Sequence, residues 1–214
     1  WRRVRAGEAS VPERLLLEAA RRVLFRRIRA QIGPQLECLI CGSAPLAAET
    51  QAWFELLGIP VYQVYGLTET TAIVTMDEPG AAVPGRVGAA IPGCRVRLGD
   101  DDELQCQGRN VFAGYWRKDA ETRAAFTDDG WLRSGDAAEV DAAGNYRIIG
   151  RTKNLLVPES GHNVAPEPIE QRLLESLPGA EHVVLFGHGR PYLVAVVSGA
   201  VDASTVAARV AALN

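Results

Sequence analysis

No stretch of this sequence reaches the roughly 18 consecutive apolar residues that a bilayer-spanning helix needs, so the residues themselves offer no membrane span. Basic charge is not in excess either. The 23 Lys and Arg face 26 Asp and Glu, a formal net charge of −3, and nucleic-acid binding through phosphates usually shows the opposite balance. Internal repeats and low-complexity tracts are lacking. The 3 histidines (His162, His182, His188) lie far along the chain from Cys38 and Cys41. That Cys-x-x-Cys spacing has no second pair to complete a zinc site. It reads either as a redox pair or as part of a buried strand, Leu36–Cys41, in which cysteine acts as a small hydrophobe; the strand is preferred. Reduced thiols then point to the cytoplasm. What is present, 214 residues with 47% hydrophobic and 23% charged, is the balance of a soluble globular protein large enough for one core or two smaller ones.

Ser10-Val11-Pro12-Glu13 has the form of a capping box with proline in the first helical turn. One helix is expected from there to Gly33-Pro34, with Leu16, Ala20, Val23, Leu24 and Ile28 on its packed face. Arg14, Arg21, Arg22, Arg26, Arg27 and Arg29 crowd the remainder. A basic helix face of this kind is usually solvated, and an anionic lipid surface is the other partner it admits. Strand Leu36–Cys41, a turn at Gly42-Ser43-Ala44-Pro45, a helix near Ala47–Leu57 and strand Ile59–Tyr65 make a βαβ unit of a parallel sheet. Both the Gly42–Pro45 turn and the residues after Tyr65 fall at the carboxyl ends of its strands, where such sheets place ligands.

From Pro79 to Gly150 glycines are frequent and strands look short: Arg95–Leu98, Glu103–Cys106, Glu139–Val140 and Tyr146–Ile149, with a hairpin loop at Asp141–Asn145. Beyond it the pattern predicts strands at Leu155–Val157, Val183–Phe186 and Tyr192–Val197. It also predicts helices at Pro166–Ser176 and Ser204–Leu213, the latter capped by Ser204. The expected architecture is α/β. A parallel βαβ portion ends at residue 78, a small antiparallel β subdomain fills 79–150, and an α+β domain begins in 151–214.

Tyr65-Gly66-Leu67-Thr68-Glu69 brings an aromatic face, a flexible glycine, a hydroxyl and a carboxylate to one loop. As a bare string it is also an ordinary strand-to-helix connection with Thr68 as N-cap. Gly42-Ser43-Ala44-Pro45 precedes it by one βαβ step. Gly130-Trp131-Leu132-Arg133-Ser134-Gly135-Asp136 follows, then Gly150-Arg151-Thr152-Lys153 and Ser160-Gly161-His162-Asn163-Val164-Ala165-Pro166. In this order, over most of the chain, the set resembles the adenylate-forming, AMP-binding superfamily, and within it the long-chain fatty acyl-CoA synthetases.

The resemblance implies ATP-dependent activation of a fatty acid to acyl-AMP and then acyl-CoA, with ATP/AMP, Mg2+ and coenzyme A as ligands. It implies that Gly42, Ser43, Ala44, Pro45, Tyr65 and Gly66 hold adenine. Thr68 would contact the α-phosphate, and Glu69 would carry the metal through oxygen. Asp136 would accept both ribose hydroxyls, and Arg151 would reach ribose or phosphate with its planar fork. Lys153 would mark the pivot of a mobile lid, and Gly161 would admit the pantetheine arm. Tyr65, Glu69, Asp136 and Arg151 are thereby expected to serve one mononucleotide. His162 stands where the family often has lysine, which puts one contact to coenzyme A in doubt. Gly108-Arg109-Asn110-Val111-Phe112-Ala113-Gly114-Tyr115-Trp116 matches a further family motif, with an expected structural role as an aromatic clamp of the β subdomain.

The family's phosphate loop, rich in Ser, Thr and Gly and carrying a lysine, has no counterpart here. Nor has its late catalytic lysine. The first residue is Trp1 and the last, Asn214, falls in a helical pattern. The expectation is a carboxy-terminal portion of a larger enzyme that cannot make acyl-adenylate alone. Two other functions fit the same residues: an adenylating enzyme that loads a carrier protein, and a non-catalytic nucleotide-binding module.

Overall fold

The computed structural model describes residues 2–44 and 46–212. Helices α1 (Arg2–Arg5), α2 (Val11–Val23) and α3 (Arg26–Ile32) come first. Glu13 reaches back to its capping residue, accepting from the Ser10 N–H at 2.8 Å and the Ser10 hydroxyl at 2.7 Å. The single expected helix is in fact two. The N–H groups of Leu24 and Phe25 both donate to the Ala20 carbonyl, at 2.8 and 3.1 Å, so the ladder loses register there. The expected packed face is not packed within this chain. Leu16, Val23 and Leu24 stand more than two thirds exposed, and neither α2 nor α3 has a buried residue. Arg21 and Arg29 are not solvated as expected. Arg21 donates to the carbonyls of Leu56 and Glu55 at 3.1 and 2.8 Å, and Arg29 to that of Gly58 at 2.8 Å. These cations satisfy the orphan carbonyls at a helix C-terminus, where the dipole is negative.

That helix is α4 (Ala48–Leu56), which joins β1 (Leu39–Cys41) to β2 (Val61–Tyr65). The two strands pair in parallel with Leu39 opposite Val61 and Cys41 opposite Gln63, the βαβ unit read from the sequence. β1 is shorter than expected and does not run buried: Leu36 to Cys38 lie outside it and Ile40 is 61% exposed. It pairs on one side only, which leaves it an edge strand. β3 (Thr75–Met76) and β4 (Ala89–Ala90) add antiparallel pairs and give a mixed sheet in the order β1-β2-β3-β4. A buried polar network fastens α4 to this sheet. Gln51 donates to the Val61 carbonyl at 2.9 Å and accepts from the Gln63 amide at 2.8 Å, and Asp77 accepts from the Gln63 N–H at 2.8 Å.

The second sheet has the order β5-β6-β7-β8. Its elements are β5 (Cys94–Leu98), β6 (Glu103–Gly108), α5 (Asp119–Ala125, between strands), β7 (Leu132–Val140) and β8 (Tyr146–Arg151). β7 is far longer than the Glu139–Val140 segment expected, because Ser134-Gly135-Asp136 is strand and not the surface turn its composition suggests. Asp141–Asn145 is the expected loop, with Asp141 Oδ1 accepting from the Ala143 and Asn145 N–H groups at 2.9 Å each.

The remaining elements are α6 (Pro166–Ser176), β9 (Ala180–Phe186), β10 (Val194–Gly199) and α7 (Ala203–Ala211). β9 and β10 pair antiparallel, and Leu173, Leu177, Val183 and Leu185 form the core beneath them. Leu155–Val157 forms no strand; only Leu156 bridges, to Val164. The cap of α7 is Asp202, not Ser204. Its carboxylate accepts from the Ser204 and Thr205 N–H groups at 2.9 Å each, which a single hydroxyl at Ser204 would not match.

The fold is therefore α/β with one mixed sheet and antiparallel β. Two compact units can be separated. The first is Trp1–Arg97 with Gln105–Leu132 and Val140–Ile148; the second is Leu98–Leu104 with Arg133–Glu139 and Ile149–Asn214. The core of the first centres on Val74, Cys94, Cys106 and Leu132, with Tyr65, Val111, Phe112 and Phe126 packed around it. Among the described residues no helix is long and apolar enough to cross a membrane.

Candidate functional site

In the first unit the two candidate loops leave adjacent parallel strands at the same end. Gly42 follows β1 so closely against β2 that a Cβ there would sit 2.6 Å from Val64 Cγ2 and 3.1 Å from the Val64 carbonyl oxygen. Ser43 and Ala44 are exposed beyond it, and Ser43 adopts a left-handed φ of 68°. Pro45 lies outside the described residues. Tyr65 ends β2 half-buried, its ring against the Val74 core cluster.

β2 leads into a 3-10 turn, Thr68–Thr70, and not into an α-helix. Thr70 closes it: its hydroxyl accepts from the Leu67 N–H and donates to the Leu67 carbonyl, both at 2.9 Å. The chain then passes through consecutive left-handed residues, Thr71 (φ 54°) and Ala72 (φ 82°). For a β-branched residue this is a real outlier, and each such residue costs on the order of 1–3 kcal/mol. The turn brings the Ala72 carbonyl to within 2.0 Å of where a Cβ on Gly66 would sit, so only glycine fits there. Thr68 is exposed and Glu69 half-buried at the apex. Glu69 Oε1 accepts from the Tyr115 hydroxyl at 2.8 Å, and the Glu69 carbonyl accepts from the Phe112 N–H at 2.8 Å. The hydrogen bond to Glu69 raises the Tyr115 phenol above its usual range, with slight burial and the carboxylate's charge adding to it.

In the second unit the ordering runs through Glu103, at the start of β6. Its Oε1 accepts from the Gly135 N–H at 3.0 Å and its Oε2 from Arg133 at 3.1 Å. Gly135 has φ +69° in mid-strand, a conformation that glycine takes without penalty. The bend sets Asp136 at 6% exposure. Ser134 accepts from the Asp136 N–H at 3.0 Å, and Arg151 donates to Asp136 Oδ1 at 2.9 Å. The Thr152 hydroxyl donates to the Gly135 carbonyl at 3.2 Å. Lys153 is exposed in a 3-10 turn after β8. Gly161 is an exposed turn residue whose N–H donates to the Pro158 carbonyl at 2.9 Å, and His162 beside it is exposed.

The structure thus brings Gly42–Ala44 beside Tyr65–Glu69 in one unit, and Asp136 beside Arg151 in the other. Sequence reasoning missed Glu103, and it gave the aromatics of the Gly108–Trp116 segment to a clamp of the β subdomain. Phe112 does pack on the cluster of Cys94, Cys106 and Leu132, and Asn110, Phe112 and Tyr115 also hold the Thr68–Ile73 loop. Asn110 Nδ2 donates to the Thr70 and Ile73 carbonyls at 3.3 and 2.9 Å, and the Thr71 hydroxyl donates to the Asn110 carbonyl at 2.8 Å. The string Asn-Val-Phe-x-Gly-Tyr was the available signal.

Among the described residues there is no group of three or more His, Cys, Asp and Glu able to hold a metal. Glu69 presents a single carboxylate at the loop apex; Mg2+ bound together with phosphates keeps several waters and takes only about one or two protein carboxylates.

A family model for "AMP-binding enzyme" matches residues 10–116. The chain is 36% identical over 177 residues to the long-chain-fatty-acid–CoA ligase FadD15 of Mycobacterium bovis, covering 83% of this chain and 29% of that protein. It is 39% identical over 157 residues to the human long-chain-fatty-acid–CoA ligase ACSBG1, covering 71% of this chain and 22% of that one. The chain therefore spans less than a third of the length of these curated relatives. Among solved structures, ATP-bound MatB from Rhodopseudomonas palustris superposes with a TM-score of 0.66 at 33% identity, covering 82% of this chain and 38% of that one.

Proposed function

This chain belongs to the AMP-binding enzyme family, and from that premise we propose that the whole protein activates a fatty acid with ATP and passes the acyl group to coenzyme A. One observation carries the reading. A strained, multiply fastened loop at the carboxyl end of β2 presents Thr68 and Glu69 side by side. Strain of this kind persists where function needs it. The fatty substrate is taken from the names of the relatives cited above.

In the first step a carboxylate oxygen of the fatty acid attacks the α-phosphorus. The bond from that phosphorus to the bridging oxygen breaks, and pyrophosphate departs with the electron pair. In the second the coenzyme A thiol, losing its proton, attacks the acyl carbon and AMP leaves. Little of the first step needs proton transfer; it needs positioning and neutralisation of anionic charge. Mg2+, when bound with ATP, supplies that neutralisation, and Glu69 is the residue of this chain that would hold it. The Thr68 hydroxyl donates to phosphate. Tyr65, Gly66 and the Gly42–Pro45 loop hold the adenine. Asp136 accepts from the ribose hydroxyls. Arg151 contacts ribose or phosphate in exchange for part of its pairing with Asp136. Lys153 is the pivot of a lid formed from residue 151 onward, and Gly161 leaves room for pantetheine. Residues 79–150 form the β subdomain of this scheme, and the protein works in the cytoplasm.

The test is product analysis of the full-length protein with ATP, Mg2+, a long-chain fatty acid and free coenzyme A. Acyl-AMP followed by acyl-CoA is expected. Acyl transfer only to a carrier protein would replace the second step, and nucleotide binding without acyl-AMP would leave a binding module. Substituting Glu69→Gln should lower kcat for adenylation more than it weakens nucleotide binding, because the neutralised charge peaks in the transition state. The 214-residue chain, which lacks both of the family's principal lysines, should yield no acyl-AMP by itself.

A further inference from the structure

Glu69 is held at two points by one short segment. The Phe112 N–H fixes its backbone, and the Tyr115 hydroxyl fixes its side chain, each at 2.8 Å. Tyr115, though 38% exposed, is itself packed and tethered. Its ring meets Phe112 edge-on, with centroids 4.8 Å apart at 74°, and Phe112 stacks on Phe126 at 5.9 Å. The Tyr115 N–H donates to the Thr122 hydroxyl at 2.9 Å, which donates to the Lys118 carbonyl at 2.8 Å and anchors the segment on the first turn of α5. The phenol is therefore a fixed donor aimed at a carboxylate on a different part of the chain.

We propose that Tyr115 is a positioning residue for Glu69: its hydroxyl holds the carboxylate in the orientation that receives a divalent cation carried by ATP. The inference rests on the reading of Glu69 as the magnesium carboxylate. A carboxylate has about four lone-pair sites, so the phenol takes one and leaves the others for the metal and its waters. A glutamate free to rotate loses rotamer entropy on being fixed. Tyr115 has already imposed that order before the cation arrives. Outer partners of metal-ligating carboxylates act in this way, and losing one typically costs about 10–100-fold in metal affinity or activity. Asn110 serves the same end through the backbone, bonding on either side of the left-handed pair Thr71 and Ala72.

The experiment is calorimetry on the full-length protein with a non-hydrolysable ATP analogue, in Mg2+ and again in EDTA, for wild type, Tyr115→Phe, Glu69→Gln and the double variant. The ratio of the two affinities isolates the metal-dependent part. Glu69→Gln should abolish most of it. Tyr115→Phe should reduce it by about tenfold with the EDTA affinity unchanged, and the double variant should be no weaker than Glu69→Gln alone. A Tyr115→Phe ratio equal to wild type, with Glu69→Gln still impaired, overturns the role of Tyr115 and leaves the magnesium reading standing. Equal losses in Mg2+ and EDTA would make Tyr115 merely structural and overturn it as well. A wild-type ratio in Glu69→Gln overturns both.

Discussion

Arg151 Nη1 donates to Asp136 Oδ1 across 2.9 Å, with the aspartate side chain 8% exposed and the arginine 48% exposed. The aspartate is the buried member and the arginine the half-exposed one. Two strands that neighbour each other in the second sheet carry the pair, one residue on β7 and the other at the end of β8. Ribose hydroxyls that donate to Asp136, as proposed above, would compete with Arg151 for the same oxygens.

Substituting Asp136→Asn should therefore weaken ATP-analogue binding in the full-length protein. Hydrogen bonds to charged groups contribute about 1.5–3 kcal/mol, which corresponds to roughly 10–100-fold in affinity. Calorimetry reads this directly. Arg151→Lys should lose less affinity and keep the fold, since a lysine retains the charge but not the fork. An Asp136→Asn protein that binds the analogue as tightly as wild type would remove this residue from the site.

Gly66→Ala should be among the most damaging single-atom additions in the chain. A Cβ there would lie 2.0 Å from the Ala72 carbonyl oxygen, a contact with backbone that no rotamer relieves. Overpacking of this order costs about 1–3 kcal/mol or more, and here the loop carrying Glu69 has to shift to admit it. A lower denaturation midpoint together with a weakened nucleotide affinity is expected. A variant with both unchanged would mean that the loop after β2 is not shaped as described.

Thiol chemistry should divide the cysteines into two classes. Burial raises the Cys94 thiol, and burial with the nearby Cys94 pushes Cys106 up to about 12. At pH 8 a thiol of pKa about 12 is ionised to only about one part in ten thousand, and the thiolate is the reactive form. Cys38 and Cys41 are half-buried and free. In the native protein an aromatic disulfide reagent should modify those two first and reach Cys94 and Cys106 only on unfolding. Equal rates at all four positions would contradict the core centred on Cys106. Because these thiols are raised in the folded state, their contribution to stability is present below the ordinary thiol range and is lost as pH climbs towards 12.

Acid should act in the opposite sense through Asp129. Bonds from Arg97, at 2.7 and 3.0 Å, and from Thr127 at 2.6 Å lower its carboxyl to about 2. A depressed carboxyl stabilises the fold above its unfolded value, near about 3.9, and loses that contribution as pH falls from about 4 to about 2. Asp129→Asn should flatten the fall in the denaturation midpoint over this window. The effect is expected to be small, since the pair is exposed to solvent. A steeper fall in the variant than in wild type would show that the ion pair does not stabilise the native state.

The βαβ unit was legible because its apolar runs have strand length and Gly58 punctuates them. β7 was not, because Ser134-Gly135-Asp136 has the composition of a turn. Glu103, which turns that segment into a bent strand, lies 32 residues from Gly135. The partners of Glu69 were hidden for the same reason: Tyr115 is 46 positions away, and no local pattern links a phenol to a distant carboxylate. Arg21 and Arg29 looked like solvated charges because a helical pattern shows which face a residue occupies but not which carbonyls await it there. In the Asp202–Ser204 cluster either residue type caps a helix, and the choice between them depended on one carboxylate reaching several N–H groups at once. The residue types of the candidate site could be read directly; the scaffolding that orients them could not.

The adjacent left-handed residues Thr71 and Ala72 make this loop answer to its backbone as well as to its ligands. Glycine or asparagine at either place would relax the chain, whereas valine or isoleucine would add strain without touching any ligand. A substitution two or three positions from Glu69 can therefore displace its carboxylate through conformation alone.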